Sequence, residues 1–234
     1  MNTKLLSALT ATAAATALLG ASAPAQAFSF GTNGITFGQN QDVQFNFKES
    51  HGAFTSSLGI YEVNGFSLSK VADLFSETKS SDDGSVNEWK GTLGNTVLGS
   101  GSSVFTFLAN KVYTLGLSSD NGMVYSTSGL NLNVAYTGSQ QAVFGASSSL
   151  WNALGKETTS AFQAAGSYTD GIGSLFNGGT LISFDDRGGG NDTDFQDFTV
   201  SAEAVPEPMT MTGLALGFGG LIAARRRRAS KTVS

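Results

Sequence analysis

Five carboxylates crowd into the thirteen residues from Asp185 to Asp197: Asp185, Asp186, Asp192, Asp194 and Asp197. Between them lie Arg187, three consecutive glycines at 188–190, and Asn191. Calcium takes six to eight oxygen ligands, and a glycine-rich loop lets the backbone turn several carboxylates and carbonyls onto one point. Asp192, Asp194 and the Asn191 amide oxygen form one candidate ligand set, with Asp185 or Asp186 arriving from the preceding strand. Asp197, three residues after Asp194, closes the site or caps a turn. The spacing differs from the twelve-residue helix-loop-helix calcium loop, which ends in a bidentate glutamate. The competing reading is a solvated acidic hairpin whose Asp and Asn side chains bond their own backbone, with Arg187 neutralising part of the charge.

Other chemistry finds less support in the residue types. Glycoside hydrolysis needs two acids facing one another across a sugar, and spacing singles out no such pair. Asp82, Asp83 and Glu88 lie in a polar stretch where a charge run is ordinarily solvated. His51 is the only histidine, and no cysteine occurs. Thiolate catalysis, thiolate metal sites and disulfides are therefore excluded, and a histidine-rich zinc site lacks its ligands. His51 reads best as a turn histidine holding a structural hydrogen bond. Trp89 is the aromatic best placed to stack on a sugar. The sequence carries no G-x-S-x-G elbow, phosphate-binding loop or dinucleotide fingerprint.

Short strands must position these residues. Thirty glycines against three prolines, with few charges, point to many strands joined by turns. Val43, Phe45 and Phe47 alternate onto one face. Segments 58–63, 104–108, 112–117, 132–136, 180–184 and 195–201 are also strand-like. Asn110-Lys111, Asn121-Gly122 and Asn177-Gly178-Gly179 supply turns, and Asn121-Gly122 is the strongest hairpin signal. One or two short helices are expected, at 69–75 and within 149–165, and 76–101 reads as a long surface excursion. The expected fold class is all-β, an antiparallel β-sandwich of jelly-roll-like type.

The two ends read as addresses. Lys4, the apolar stretch 5–20 and the small-residue site Ala25-Gln26-Ala27 make a signal peptide cleaved before Phe28. Val205-Pro206-Glu207-Pro208 leads into a sixteen-residue apolar run, Met209 to Ala224, with threonine as its only polar content, followed by Arg225 to Arg228. That run is slightly short of the about 20 residues of a full membrane span. The arginines would be held on the cytoplasmic side. Domain boundaries follow: signal peptide 1–27, secreted domain 28–204, tail 205–234. Residues 28–205 carry seven basic against seventeen acidic side chains, a formal charge of −10 where the whole chain has −5. Such a body disfavours nucleic acid and anionic lipid as partners.

The three consecutive parts of this tail together resemble the PEP-CTERM sorting signal of Gram-negative bacteria, which exosortase reads. The resemblance implies export, a transient inner-membrane anchor and cleavage near Pro206, Glu207 and Pro208, with signal peptidase acting at Ala25 and Ala27. Release to the cell surface or into an extracellular polysaccharide matrix would follow. The body is similar to a secreted β-rich domain of unknown function, through Phe45-x-Phe47, Glu49-Ser50-His51-Gly52-Ala53 and Leu58 to Glu62 near its start. At its end the likeness lies in Ile182-x-Phe184-Asp185 and Asp192-x-Asp194-Phe195-x-Asp197-Phe198-x-Val200. In that family this acidic end is associated with calcium. Gln196 stands where Asn is common there.

The expected function is that of a non-enzymatic structural or interaction protein of the cell surface or matrix, stabilised by calcium. A calcium-dependent carbohydrate-binding module is the first alternative, and a polysaccharide hydrolase using paired carboxylates the second.

Overall fold

The computed structural model describes residues 28–52, 54–80, 90–131, 140–145, 175–186 and 195–206. The expected strand 132–136, the expected helix within 149–165, the signal peptide and the tail beyond Pro206 lie outside them. Among the described residues no helix is long and apolar enough to cross a membrane.

Among the described residues twelve strands run in order: β1 (Phe28–Gly31), β2 (Gly34–Phe37), β3 (Gln41–His51), β4 (Ser57–Asn64), β5 (Ser67–Ser76), β6 (Lys90–Gly91), β7 (Ser102–Phe107), β8 (Val112–Ser119), β9 (Gly122–Tyr125), β10 (Ala142–Phe144), β11 (Thr180–Phe184) and β12 (Phe198–Ala204). One antiparallel sheet, sheet A, has the order β1-β2-β8-β4-β5, with β9 also paired to β8. Sheet B has the order β10-β11-β12-β3-β6, with β7 also paired to β3. The fold is β-sandwich-like, as the alternation predicts. The only helical turn described is the 3-10 turn Ser128–Leu130.

The two sheets share one core. Ile35, Ile60, Leu115 and Leu117 of sheet A pack in one cluster with Val43, Phe45, Ile182 and Val200 of sheet B. Aromatic pairs bridge the layers: Phe37 to Phe107 at 5.4 Å, Phe47 to Phe75 at 6.0 Å and Phe107 to Tyr113 at 5.2 Å between ring centroids. Each buried phenylalanine contributes roughly 1.5–3 kcal/mol, which replaces the cross-links a cysteine-free chain lacks.

Residues 69–75 correct the helix expectation. They lie in β5, paired with β4 through Leu58↔Phe75, Ile60↔Ala72 and Tyr61↔Lys70. The apparent helical spacing of Val71, Leu74 and Phe75 arises because β5 is interrupted twice, opposite Leu58/Gly59 and Ile60/Tyr61. A bulge inserts an extra residue and shifts the period-two pattern, so a bulged edge strand imitates a helix. The stretch 76–101 is likewise more than a surface excursion. Glu77, Thr96 and Val97 are buried, and Lys90–Gly91 pairs with β3.

A third irregularity matters for the site. Thr199 pairs with Glu49 but Val200 pairs with Phe47, so Lys48 is an inserted residue in β3. Before it, Val43, Phe45 and Phe47 face the core. After it the parity flips, turning Ser50 inward while Glu49 and His51 share the outer side.

Candidate metal centre

β11 and β12 are antiparallel, and Phe184 pairs with Phe198 at one end of the ladder. Asp185 and Asp186 continue past that pair on one strand, and Asp197 precedes it on the other. Antiparallel pairing therefore brings residues eleven or twelve apart in sequence to one end of sheet B. Asp185, Asp186 and Asp197 each offer a carboxylate oxygen, and these three oxygens lie within 4.8 Å of one another. Asp185 is 0% and Asp186 3% exposed, while Asp197 is half-buried.

Main-chain bonds hold the three in place. The Asp186 N–H donates to Asp197 Oδ2 at 2.7 Å. The Asp185 N–H donates to the Gln141 carbonyl, and the His51 N–H to the Asp197 carbonyl. Ser119 Oγ donates to the Asp186 carbonyl at 3.2 Å. Gly52, beside Asp197, has φ +93°, a left-handed backbone that favours glycine. Phe195, wholly buried, has φ 47°, a left-handed backbone that costs a bulky residue roughly 1–2 kcal/mol. The chain thus enters Asp197 through a strained, packed residue.

More acid faces this end from sheet A. β5 runs on into Glu77, which is 7% exposed. The Ser50 hydroxyl donates to Glu77 Oε1, and the Ser56 N–H to Oε2 at 2.7 Å. Burial pushes the Glu77 carboxyl up from 4.5 to about 7; the Ser50 and Ser56 bonds pull it back, and the charges of Asp186 and Asp120 push it further. Asp120, in the β8–β9 turn, accepts the Thr55 N–H at 3.1 Å. Crowded carboxylates withdrawn from water resist ionising together. A proton on Glu77 or a hard cation on the aspartates relieves that repulsion.

On the outer side of β3, Glu49 lies between His51 and Lys90. Its Oε1 lies 3.4 Å from His51 Nε2 and its Oε2 2.6 Å from Lys90 Nζ. Burial raises the Glu49 carboxyl, but hydrogen bonds to His51 and Lys90, with their charges, outweigh it and leave the group below 4.5.

Of the sequence-predicted ligands, Asp185, Asp186 and Asp197 come together. Asn191, Asp192, Asp194 and Arg187 lie outside the described residues, as do Asp82, Asp83, Glu88 and Trp89. His51 is the last residue of strand β3 rather than a turn residue, and its Nε2 lies 3.4 Å from Glu49 Oε1. Sequence reasoning missed Glu77, Ser50 and Asp120 as neighbours of the site. Glu77 follows Phe75 by two residues, so the inward parity of β5 was the available signal, hidden once 69–75 was read as helix.

The three carboxylates could hold a metal ion. In comparisons with known proteins, no family model, no curated protein and no solved structure matches the chain.

Proposed function

We propose that this chain is an exported, non-enzymatic structural or interaction protein of the cell surface or extracellular matrix, stiffened by calcium at Asp185, Asp186 and Asp197. One observation carries the calcium reading: three carboxylate oxygens from two chain segments converge, two of the residues being almost wholly buried. Buried ionised carboxylates demand compensation, and a hard cation supplies it through oxygen ligands alone. Asn191, Asp192 and Asp194, one to four residues before Phe195, are the natural further ligands.

Export rests on the sequence. The signal peptide ends at Ala27, and β1 begins at Phe28, packed on Phe37 and Phe176. At the other end β12 finishes at Ala204, and the exposed Pro206 opens the sorting motif. Asp197 and Pro206 flank opposite ends of a seven-residue strand, about 23 Å long at 3.3 Å per residue. A tail cut at Pro206, Glu207 or Pro208 by exosortase would leave the acidic end untouched. The repeated passage of the chain between sheets supports the jelly-roll-like reading of the sandwich.

A hydrolytic pair needs two carboxyl groups flanking an accessible sugar bond. Asp185 and Asp186 are almost wholly buried, which supports a structural role for them. The test is thermal unfolding of the full-length chain in chelator and in excess calcium. At a hundredfold excess over Kd the ion adds about 2.7 kcal/mol, a rise of about 5–10 °C for a domain of this size. Asp197→Asn should abolish most of that rise. An unchanged Tm on calcium addition refutes the metal reading.

A further inference from the structure

Sheet A has a second face, turned away from the core. The register there sets Asp73, Gly59, Gly116 and Tyr125 in one row across β5, β4, β8 and β9. Tyr61 shares the face with Gly59, two residues away on β4, and Met123 shares it with Tyr125 on β9. Two glycines paired in the middle strands of a sheet weaken it, since glycine brings no packing and loses more entropy on ordering. The space they leave is occupied. A Cβ on Gly116 would stand 2.6 Å from Tyr61 Cε2, 2.8 Å from its Cδ2 and 2.7 Å from Met123 Cε. On Gly59 it would stand 2.8 Å from the Ala72 carbonyl oxygen and 3.0 Å from Lys70 Cε. The glycines form a floor on which the Tyr61 ring and the Lys70 stem rest.

Tyr125 completes a corner. Its ring meets that of Tyr61 at 5.7 Å and 87°, and both rings are half-buried. Lys70 and Asp73 form an ion pair at the rim, with side chains 44% and 71% exposed. Burial pushes the Tyr61 phenol up, with Lys70 opposing and Asp73 adding; the Tyr125 phenol is raised by burial and then by Tyr61. Both hydroxyls therefore stay protonated at neutral pH and can donate as well as accept. A tyrosine that merely filled a glycine gap would need neither the second ring nor the charged pair on the same face.

A pyranose matches this surface. Its C–H face packs on an aromatic ring, and its edge hydroxyls bond to phenol, ammonium and carboxylate groups. The −10 charge of residues 28–205 repels acidic polymers, and the ring and hydroxyl contacts this face offers suit a neutral one. We propose that the outer face of sheet A, centred on Tyr61 and Tyr125 and rimmed by Lys70 and Asp73, binds a neutral hexopyranose polysaccharide. The choice of ligand class rests on the extracellular-matrix reading above; the geometry is independent of the metal.

Titration calorimetry of the full-length chain against a soluble β-glucan, a galactan and a mannan, with alginate as the acidic control, tests this. The wild type should bind at least one neutral polymer and not alginate. Tyr125→Ala should weaken binding about tenfold, equivalent to about 1.4 kcal/mol, with near-ultraviolet circular dichroism unchanged apart from the lost tyrosine. Asp73→Asn, at an exposed position, should weaken it about threefold with unchanged Tm, and it decides the matter if Tyr125→Ala does not fold. Binding to none of the neutral polymers, or wild-type affinity in the folded variants, overturns the proposal. Binding lost in chelator from a folded chain, but kept in Tyr125→Ala, moves the ligand to the acidic end and sinks this inference alone. Intact glycan binding without any calcium-dependent Tm rise sinks the metal reading alone.

Discussion

Replacing Glu77 by glutamine isolates the electrostatic tension at the acidic end. The carboxyl titrates at about 7 in the fold against 4.5 ordinarily, so the folded state holds its proton more tightly than the unfolded chain does. Between those two values the folded state binds more protons, and stability falls as pH rises. At 1.36 kcal/mol per unit, the whole shift corresponds to about 3 kcal/mol. Part of it comes from the charges of Asp186 and Asp120, which salt screens, so about 2 kcal/mol is the working figure. Glutamine keeps both bonds, since its oxygen accepts the Ser56 N–H while its NH2 donates to Ser50 Oγ. Glu77→Gln should therefore be about 2 kcal/mol more stable than wild type at pH 8, and within about 0.5 kcal/mol of it at pH 4.5. Urea unfolding in chelator across pH 4.5–8 measures this, and the difference between the two proteins removes the titration of the other carboxylates. A variant no more stable at pH 8, or a difference that does not close as pH falls, refutes the reasoning.

Two further outcomes are expected. Glu49→Gln leaves Lys90 and His51 without their shared anion and should destabilise the fold by about 1–3 kcal/mol at pH 7. Because the Glu49 carboxyl lies below 4.5, its contribution is present above that value and is lost as pH falls through the folded pKa; urea midpoints should converge there. Mass spectrometry of the surface and secreted fractions should find a mature chain beginning at Phe28 and lacking Arg225 to Arg228, and intact arginines on that chain would contradict processing.

Strand positions were legible where the period of two ran unbroken. Segment 180–184 coincides with β11, and 112–117 falls inside β8. The alternation of Val43, Phe45 and Phe47 identifies the core side of β3 correctly. Legibility fails at bulges, because one inserted residue reverses parity: β5 imitates a helix, and Ser50 turns inward only because Lys48 is extra. Hairpins carry a one-residue ambiguity as well. Ser119 pairs with Gly122, so Asp120 and Asn121 form the turn and Gly122, at φ +133°, begins the next strand. Asp185, Asp186 and Asp197 could be nominated because β11 and β12 bring near neighbours in sequence together. Glu77 reaches the same end from the other sheet, and no local spacing encodes a contact of that kind. The glycine floor under Tyr61 is hidden for the same reason, since Gly59 and Gly116 meet only through the β4–β8 register.

The acidic end is also where the two sheets are stitched together. Ser50 belongs to sheet B and Glu77 follows the last strand of sheet A, so their hydrogen bond crosses the sandwich. Ser119, at the end of β8 in sheet A, bonds the Asp186 carbonyl beyond β11 in sheet B. These polar links lie beyond the aromatic pairs that hold the sandwich interior, and they work against mutual repulsion among the acids they connect. A proton on Glu77 and a cation on the aspartates are alternative ways to relieve that repulsion, because a positive ion beside Asp186 cancels the charge that helps to raise the Glu77 carboxyl. The comparison of Glu77→Gln with wild type, repeated in saturating calcium, separates the two: the gap at pH 8 should shrink if the ion sits on Asp185, Asp186 and Asp197, and an unchanged gap would place any bound calcium elsewhere on the chain.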